Sequence, residues 1–319
     1  MDKINEFLQK KAVSRRNFLA GAGTATAAAL IAGCGDNSTV AGPVITPGVT
    51  DDDILNFALN LEYLEAEFYL RAATGSGLAT ADIGTNPGTV TGGAKVPNLT
   101  SDQQNILNEI AFDEQSHVQF LRKALGGSAI ARPKIDFATS FSALATAAGI
   151  TGVTFNPFND FDSFLVGAFI FEDVGVTAYH GAAGLISNSG ISSGLLSAAA
   201  GIMAVEAYHA AYVRTALTAR AIAAAAASPA TPYPYLDFAN KVSTLRASVG
   251  GGNETMLTVP TSTITASSIV AADTSNAIAF SRTTDQVLHI VYGTGGAAGV
   301  SKGGFFPNGL SGAITVTAA

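Results

Sequence analysis

One cysteine, four histidines and few charges limit what this 319-residue chain can be. With Cys34 alone, no disulfide can form within the chain. Charged residues make up only 13% of the sequence, and Lys and Arg (17) are outnumbered by Asp and Glu (24). An acidic balance of this kind makes nucleic acid an unsuitable partner. The mean hydropathy is positive at +0.32, but much of that apolarity is alanine and glycine and does not by itself imply a membrane protein. What is present in quantity is hydrophobic material, 48% of the chain, enough for a full core and a second, smaller unit.

Residues 1–34 read as a targeting segment. Lys10, Lys11, Arg15 and Arg16 precede an apolar, small-residue run from Phe18 to Ala32, and Ser14-Arg15-Arg16-Asn17-Phe18-Leu19 matches a twin-arginine export signal. The run is too short and too rich in Gly and Ala for a spanning helix. It ends in Ile31-Ala32-Gly33-Cys34, the form of a bacterial lipoprotein cleavage site, with Cys34 in the position that receives lipid. An ordinary cleaved signal with an incidental cysteine is the alternative. The expectation is a protein of the periplasm or cell surface, held to the membrane only through a lipid anchor. Without residues 1–33 the chain carries 12 basic and 22 acidic residues, a net of −10.

The rest of the chain is arranged around a pattern that occurs twice. Glu114-Gln115-Ser116-His117 and Glu206-Ala207-Tyr208-His209 are both Glu-x-x-His, each followed by an aromatic (Phe120, Tyr212) and an aliphatic-Arg pair (Leu121-Arg122, Val213-Arg214). Residues three apart share a helix face, so each Glu and His can reach one ion. Upstream of each motif, Glu62 and Glu172 are each followed seven residues later by a tyrosine, Tyr69 and Tyr179. A lone Glu-x-x-His would more often be a surface ion pair or a hydrogen-bonded core histidine. Here four carboxylates and two imidazoles recur in order on four helical stretches. Glu62 also lies within the otherwise apolar stripe of Leu55, Leu59, Ala66 and Tyr69, where an unpaired carboxylate would be costly.

The order Glu, Glu-x-x-His, Glu, Glu-x-x-His resembles the ligand set of the ferritin-like superfamily. The stretches 54–65, 286–293 and 304–309 resemble bacterial and plant desiccation-related proteins within it. The resemblance implies an all-α core, a four-helix bundle with one long crossover, holding two metal ions on Glu62, Glu114, His117, Glu172, Glu206 and His209. By the family's usual arrangement Glu114 and Glu206 would bridge, and Glu62 and Glu172 would be terminal. Glu65, one turn from Glu62, is an alternate ligand. Tyr69 and Tyr179 could orient ligand carboxylates, or could be large core residues. Oxygen and nitrogen donors without thiolate suit iron or manganese, with zinc the commonest impostor. His180 and His289 are not expected to be ligands.

Helices are expected over 50–73, 100–125, 161–186 and 193–227, with the bundle spanning 50–228. A tether at 35–49 precedes it and an extension at 229–319 follows. Within the link of residues 126–159 a short helix is expected near 137–148. In the extension, helices are expected at 237–249 and 284–292, and short strands at 256–259, 262–264 and 314–316. Three functions fit: an envelope enzyme consuming peroxide or O2 without hydroxylating an organic substrate; a stress-protection protein in which metal only stabilises the fold; and, less suited to the large loops, iron storage. A homo-oligomer is compatible with each.

Overall fold

The computed structural model describes residues 48–228, 233–258 and 269–318. The export segment, Cys34, most of the tether and the strand expected at 262–264 lie outside the described residues. The helices are α1 (Asp51–Thr74), α2 (Ser101–Leu125), α3 (Ser140–Ala147), α4 (Phe161–Ala183), α5 (Asn188–Ser193), α6 (Leu195–Ala227), α7 (Pro234–Val249) and α8 (Thr284–Tyr292). Local sequence sets the helix starts. Thr50 with Asp53, Thr100 with Gln103 and Thr283 with Gln286 form reciprocal capping boxes, Asp160 caps α4, and Pro234 opens α7. α4 ends at Ala183, three residues short of expectation, and the short α5 precedes α6. Gly194, with φ +92°, separates α5 from α6.

α1 packs on α2 and α4 on α6, giving two helical hairpins that face each other. The connection between them carries α3 and a two-residue strand, β2 (Ile135–Asp136). This strand pairs in parallel with β1 (Val90–Thr91) of the α1–α2 loop, Val90 opposite Ile135. A cluster of phenylalanines binds the crossover to the bundle. Phe68 of α1 stacks on Phe164 at 5.6 Å and meets Phe137, Phe141, Phe158 and Phe171 at 5.3–6.1 Å. Gly167 makes this approach possible, since a Cβ there would lie 2.5 Å from Pro157 and 2.9 Å from the Phe68 ring.

The extension packs onto the bundle through polar contacts as well as apolar ones. α7 lies against α4 and α6, and α8 against α4 and α7. Arg214 on α6, Arg246 on α7 and Arg282 before α8 are all fully buried. Arg214 grips Asp173 with two bonds of 2.9 and 2.8 Å, Arg246 bonds Asp173 at 2.8 Å and Glu254 at 2.7 Å, and Arg282 bonds Glu254 at 2.6 Å. Further along, Ser311 exchanges two backbone bonds with the Asn60 side chain of α1, and Phe305 inserts against Phe141 and Phe171.

The strand expected at 314–316 is not formed, nor is the one expected at 256–259 over its described residues, 256–258. Their backbone groups go elsewhere: Leu257 N–H donates to Asn240, and the last segment is held by isolated bonds such as Tyr292 Oη to Thr315 O and Thr317 N to Val300 O. β-branched residues alone do not make a strand without a partner to form a ladder. No helix among the described residues is long and apolar enough to cross a membrane.

Candidate metal centre

Helical spacing brings the repeated motifs together. α1 contributes Glu62, α2 Glu114 and His117, α4 Glu172, and α6 Glu206 and His209, all buried. Two groups of donor atoms form, each with its atoms within 4.8 Å of one another: Glu62, Glu114, His117 and Glu206, and Glu114, Glu172 and His209. His117 Nδ1 lies 3.2 Å from Glu62 Oε2 and 3.5 Å from both Glu114 Oε2 and Glu206 Oε1. His209 Nδ1 lies 3.0 Å from Glu114 Oε1 and 3.6 Å from Glu172 Oε2. Glu114 therefore turns one oxygen to each group, while Glu206 belongs to the first alone.

Carboxylate oxygens of Glu62, Glu114, Glu172 and Glu206, together with both Nδ1 atoms, are buried without a hydrogen-bond partner among the described residues. Buried polar atoms in folded proteins are nearly always paired. A cluster of unpaired lone pairs converging on one interior point is what a metal centre requires, so the residues fit the implied ions.

The surrounding groups fix the carboxylates. Tyr69 Oη donates to Glu172 and Tyr179 Oη donates to Glu62, so each tyrosine supports the glutamate of the other hairpin. This reciprocity follows from the seven-residue Glu-to-Tyr spacing in both halves. The repeat goes further: Tyr63, next to Glu62, accepts from Arg122 at 2.6 Å, as Asp173, next to Glu172, does from Arg214. His209 Nε2 lies 3.1 Å from Asp113, which helps set the ring's orientation. Asp113 was not found from sequence, because its counterpart in the repeat is Val205. The alternate ligand Glu65 stands outside both groups, and His180 and His289 bond Phe280 O and Thr294 instead.

Burial, partly offset by His117, pushes the Glu62 carboxyl up to about 7. Burial also raises Glu172, and burial with repulsion from Glu114 raises Glu206 well above the usual range. Burial opposes ionisation of Glu114 too, but the adjacent imidazoles of His117 and His209, charged when protonated, outweigh it and bring it down to about 2. Burial disfavours the charged imidazoles, yet the neighbouring carboxylates outweigh it. His209 rises to about 12 with Glu172 and Glu114, and His117 is raised strongly by Glu62 and its other glutamate neighbours. Without metal, protons supply the positive charge that this nest of carboxylates demands.

A four-helix bundle with glutamates and histidines meeting in its core defines a protein of the ferritin-like class, and the chain belongs to that family: the ferritin-like domain matches residues 50–219. It is 32% identical over 276 residues, 83% of this chain and 84% of the relative, to the ferritin-like catalase Nec2 of Nesocodon mauritianus. It is also 32% identical over 256 residues, 75% and 76% of the two chains, to the desiccation-related protein PCC13-62 of Craterostigma plantagineum. No solved structure matches at a significant level.

Proposed function

We propose that the protein binds two metal ions, iron or manganese, on Glu62, Glu114, His117, Glu172, Glu206 and His209, and consumes peroxide or O2 in stress defence of the cell envelope. The observation that carries this is the set of unpaired buried donor atoms, shared between two groups through Glu114. When bound, the ions would supply one-electron redox chemistry and an open position for a small oxidant.

The chain's own residues would do the rest. Glu114 holds the two positions together, Tyr69 and Tyr179 stop Glu172 and Glu62 from swinging, and Asp113 orients His209. Leu59, Ala168, Phe169, Ile202 and Val213 on the same helices are buried and apolar, and apart from Glu65 they add no polar group to orient a larger organic substrate. Peroxide can serve as both oxidant and reductant, two molecules giving two waters and one O2. The name of the relative Nec2, a ferritin-like catalase, supports this choice. The export reading adds a lipid-bearing Cys34, which mass spectrometry of the mature N-terminus in the membrane fraction would show.

Hydrogen peroxide added to the metal-loaded protein is expected to give steady oxygen release. A single oxidation without turnover would point to an oxidase needing an electron donor. No spectral response from a fully loaded site would leave a purely stabilising role for the metal.

A further inference from the structure

Two cavities share a wall built by the extension, one with exposed residues at its rim and the other bordered by Gly175 and Glu65 beside the metal-binding residues. The outer one, about 240 Å³, sits between α3, α7 and α8 and is lined by Leu144, Val242, Leu245, Val249 and Ile290 among others. Its rim includes Ala143, Ala147, Gly293 and Gly295, which are exposed, so it opens to solvent. The inner one, about 20 Å³, is lined entirely by buried residues, and Glu65 is the only polar side chain among them. Its size suits one water-sized molecule. Ile290, Val291 and Phe305 line both cavities.

The inner cavity ends on Gly175. A Cβ at that position would lie 2.3 Å from Glu206 Oε2 and 3.5 Å from Glu65 Oε1. The missing side chain therefore lets the Glu206 carboxylate lie directly behind the end of the cavity. Any other residue at 175 would stand between the two.

We propose that these two cavities form the access route of the site: a small uncharged oxidant collects in the outer cavity, passes Ile290, Val291 and Phe305, and reaches the metal-binding residues between Glu65 and Gly175. The proposal rests on the reading that the site takes such an oxidant, and it gives the C-terminal extension a role in that chemistry. The walls are apolar apart from Ser140, Glu65 and Arg246, whose charge is taken by Asp173 and Glu254, and such walls favour uncharged molecules over ions. The narrow inner cavity passes diatomic or peroxide-sized species and stops larger hydroperoxides. Val291 is the gate, since it faces both cavities from α8 and touches none of the six proposed ligands.

Two measurements on the mature protein test the route. In xenon-pressurised crystals, which need no metal, density is expected in the outer cavity against Leu144, Val242 and Leu245; an outer cavity empty of xenon would overturn the proposal. In stopped-flow mixing of the reduced, iron-loaded protein with nitric oxide, an uncharged analogue of O2, Val291→Phe is expected to slow association by about tenfold or more at unchanged metal content. Ala147→Trp, on the exposed side of α3, should slow it too, and it tests the mouth of the route if Val291→Phe does not fold. Val291→Ala should speed it and admit tert-butyl hydroperoxide. Association at the wild-type rate in both blocking variants would overturn the route. Slowed association in a protein that never turns over peroxide would support the route and count only against the proposed reaction.

Discussion

Replacing Asp173 by alanine is expected to destabilise the protein by about 3–5 kcal/mol, the cost of breaking a buried ion pair and leaving its partner charged. Asp173 accepts from Arg214 through Nε and Nη2 and from Arg246 through Nη2, and Arg246 Nη2 also donates to Glu254, whose other carboxylate oxygen accepts from Arg282. Without the carboxylate, two buried arginines lose an acceptor at once, and the joint between α4, α6 and α7 loses its common centre. Burial opposes ionisation of Asp173, but Arg214 and Arg246 hold its carboxyl down at about 2. A depressed acid contributes stability that is present above its unfolded value near 3.8 and lost as pH falls through about 2. That contribution is about 2 kcal/mol. The variant should therefore also show a flatter loss of stability between pH 4 and 2. Urea unfolding at neutral and acid pH checks both; a change under about 1 kcal/mol would mean that the network carries little of the fold.

The second large effect is the response of the metal-free protein to pH. Glu62 is raised from 4.5 to about 7, so the folded state holds its proton more tightly than the unfolded chain does. Stability from this group is full below 4.5 and is lost as pH rises towards 7, by about 3 kcal/mol. Glu172 and Glu206 are shifted in the same direction, and His117 and His209 lose their contribution as pH rises above 6.5. Glu114 and Asp173 act in the opposite sense only below their unfolded values, so they do not enter this window. The metal-free protein should melt at a higher temperature at pH 5 than at pH 7.5. The metal-loaded protein should show the reverse, because protons compete with ions for the same atoms. A metal-free protein equally stable at both pH values would contradict the repulsive cluster described here.

Much of the site was legible because its chemistry is written in local spacing. Glu-x-x-His needs only one helical turn, and the seven-residue step from Glu62 to Tyr69 and from Glu172 to Tyr179 needs only two. The helix starts expected at 50 and 100 were legible for the same reason, since Thr50 and Thr100 cap their helices within one turn. The arginine network was not legible. Arg214 was seen as part of the repeat, but arginine is usually exposed, and its burial depends on Arg246, Glu254 and Arg282, up to 68 residues further along the chain. The cavities under α8 were hidden too. They are made by packing the extension over α3 and α4, which no local spacing records. The strand expected at 314–316, and the one expected at 256–259 over its described residues, did not form because composition says nothing about whether a partner lies alongside.

The central claim, that these six residues hold two metal ions, is tested most directly by elemental analysis of the wild type and of the double variant His117→Ala, His209→Ala, both expressed with iron or manganese. Each imidazole offers its Nδ1 to a different group of carboxylates. The wild type should approach two equivalents per chain, and the double variant should fall well below one. Full metal occupancy in the double variant would contradict the assignment.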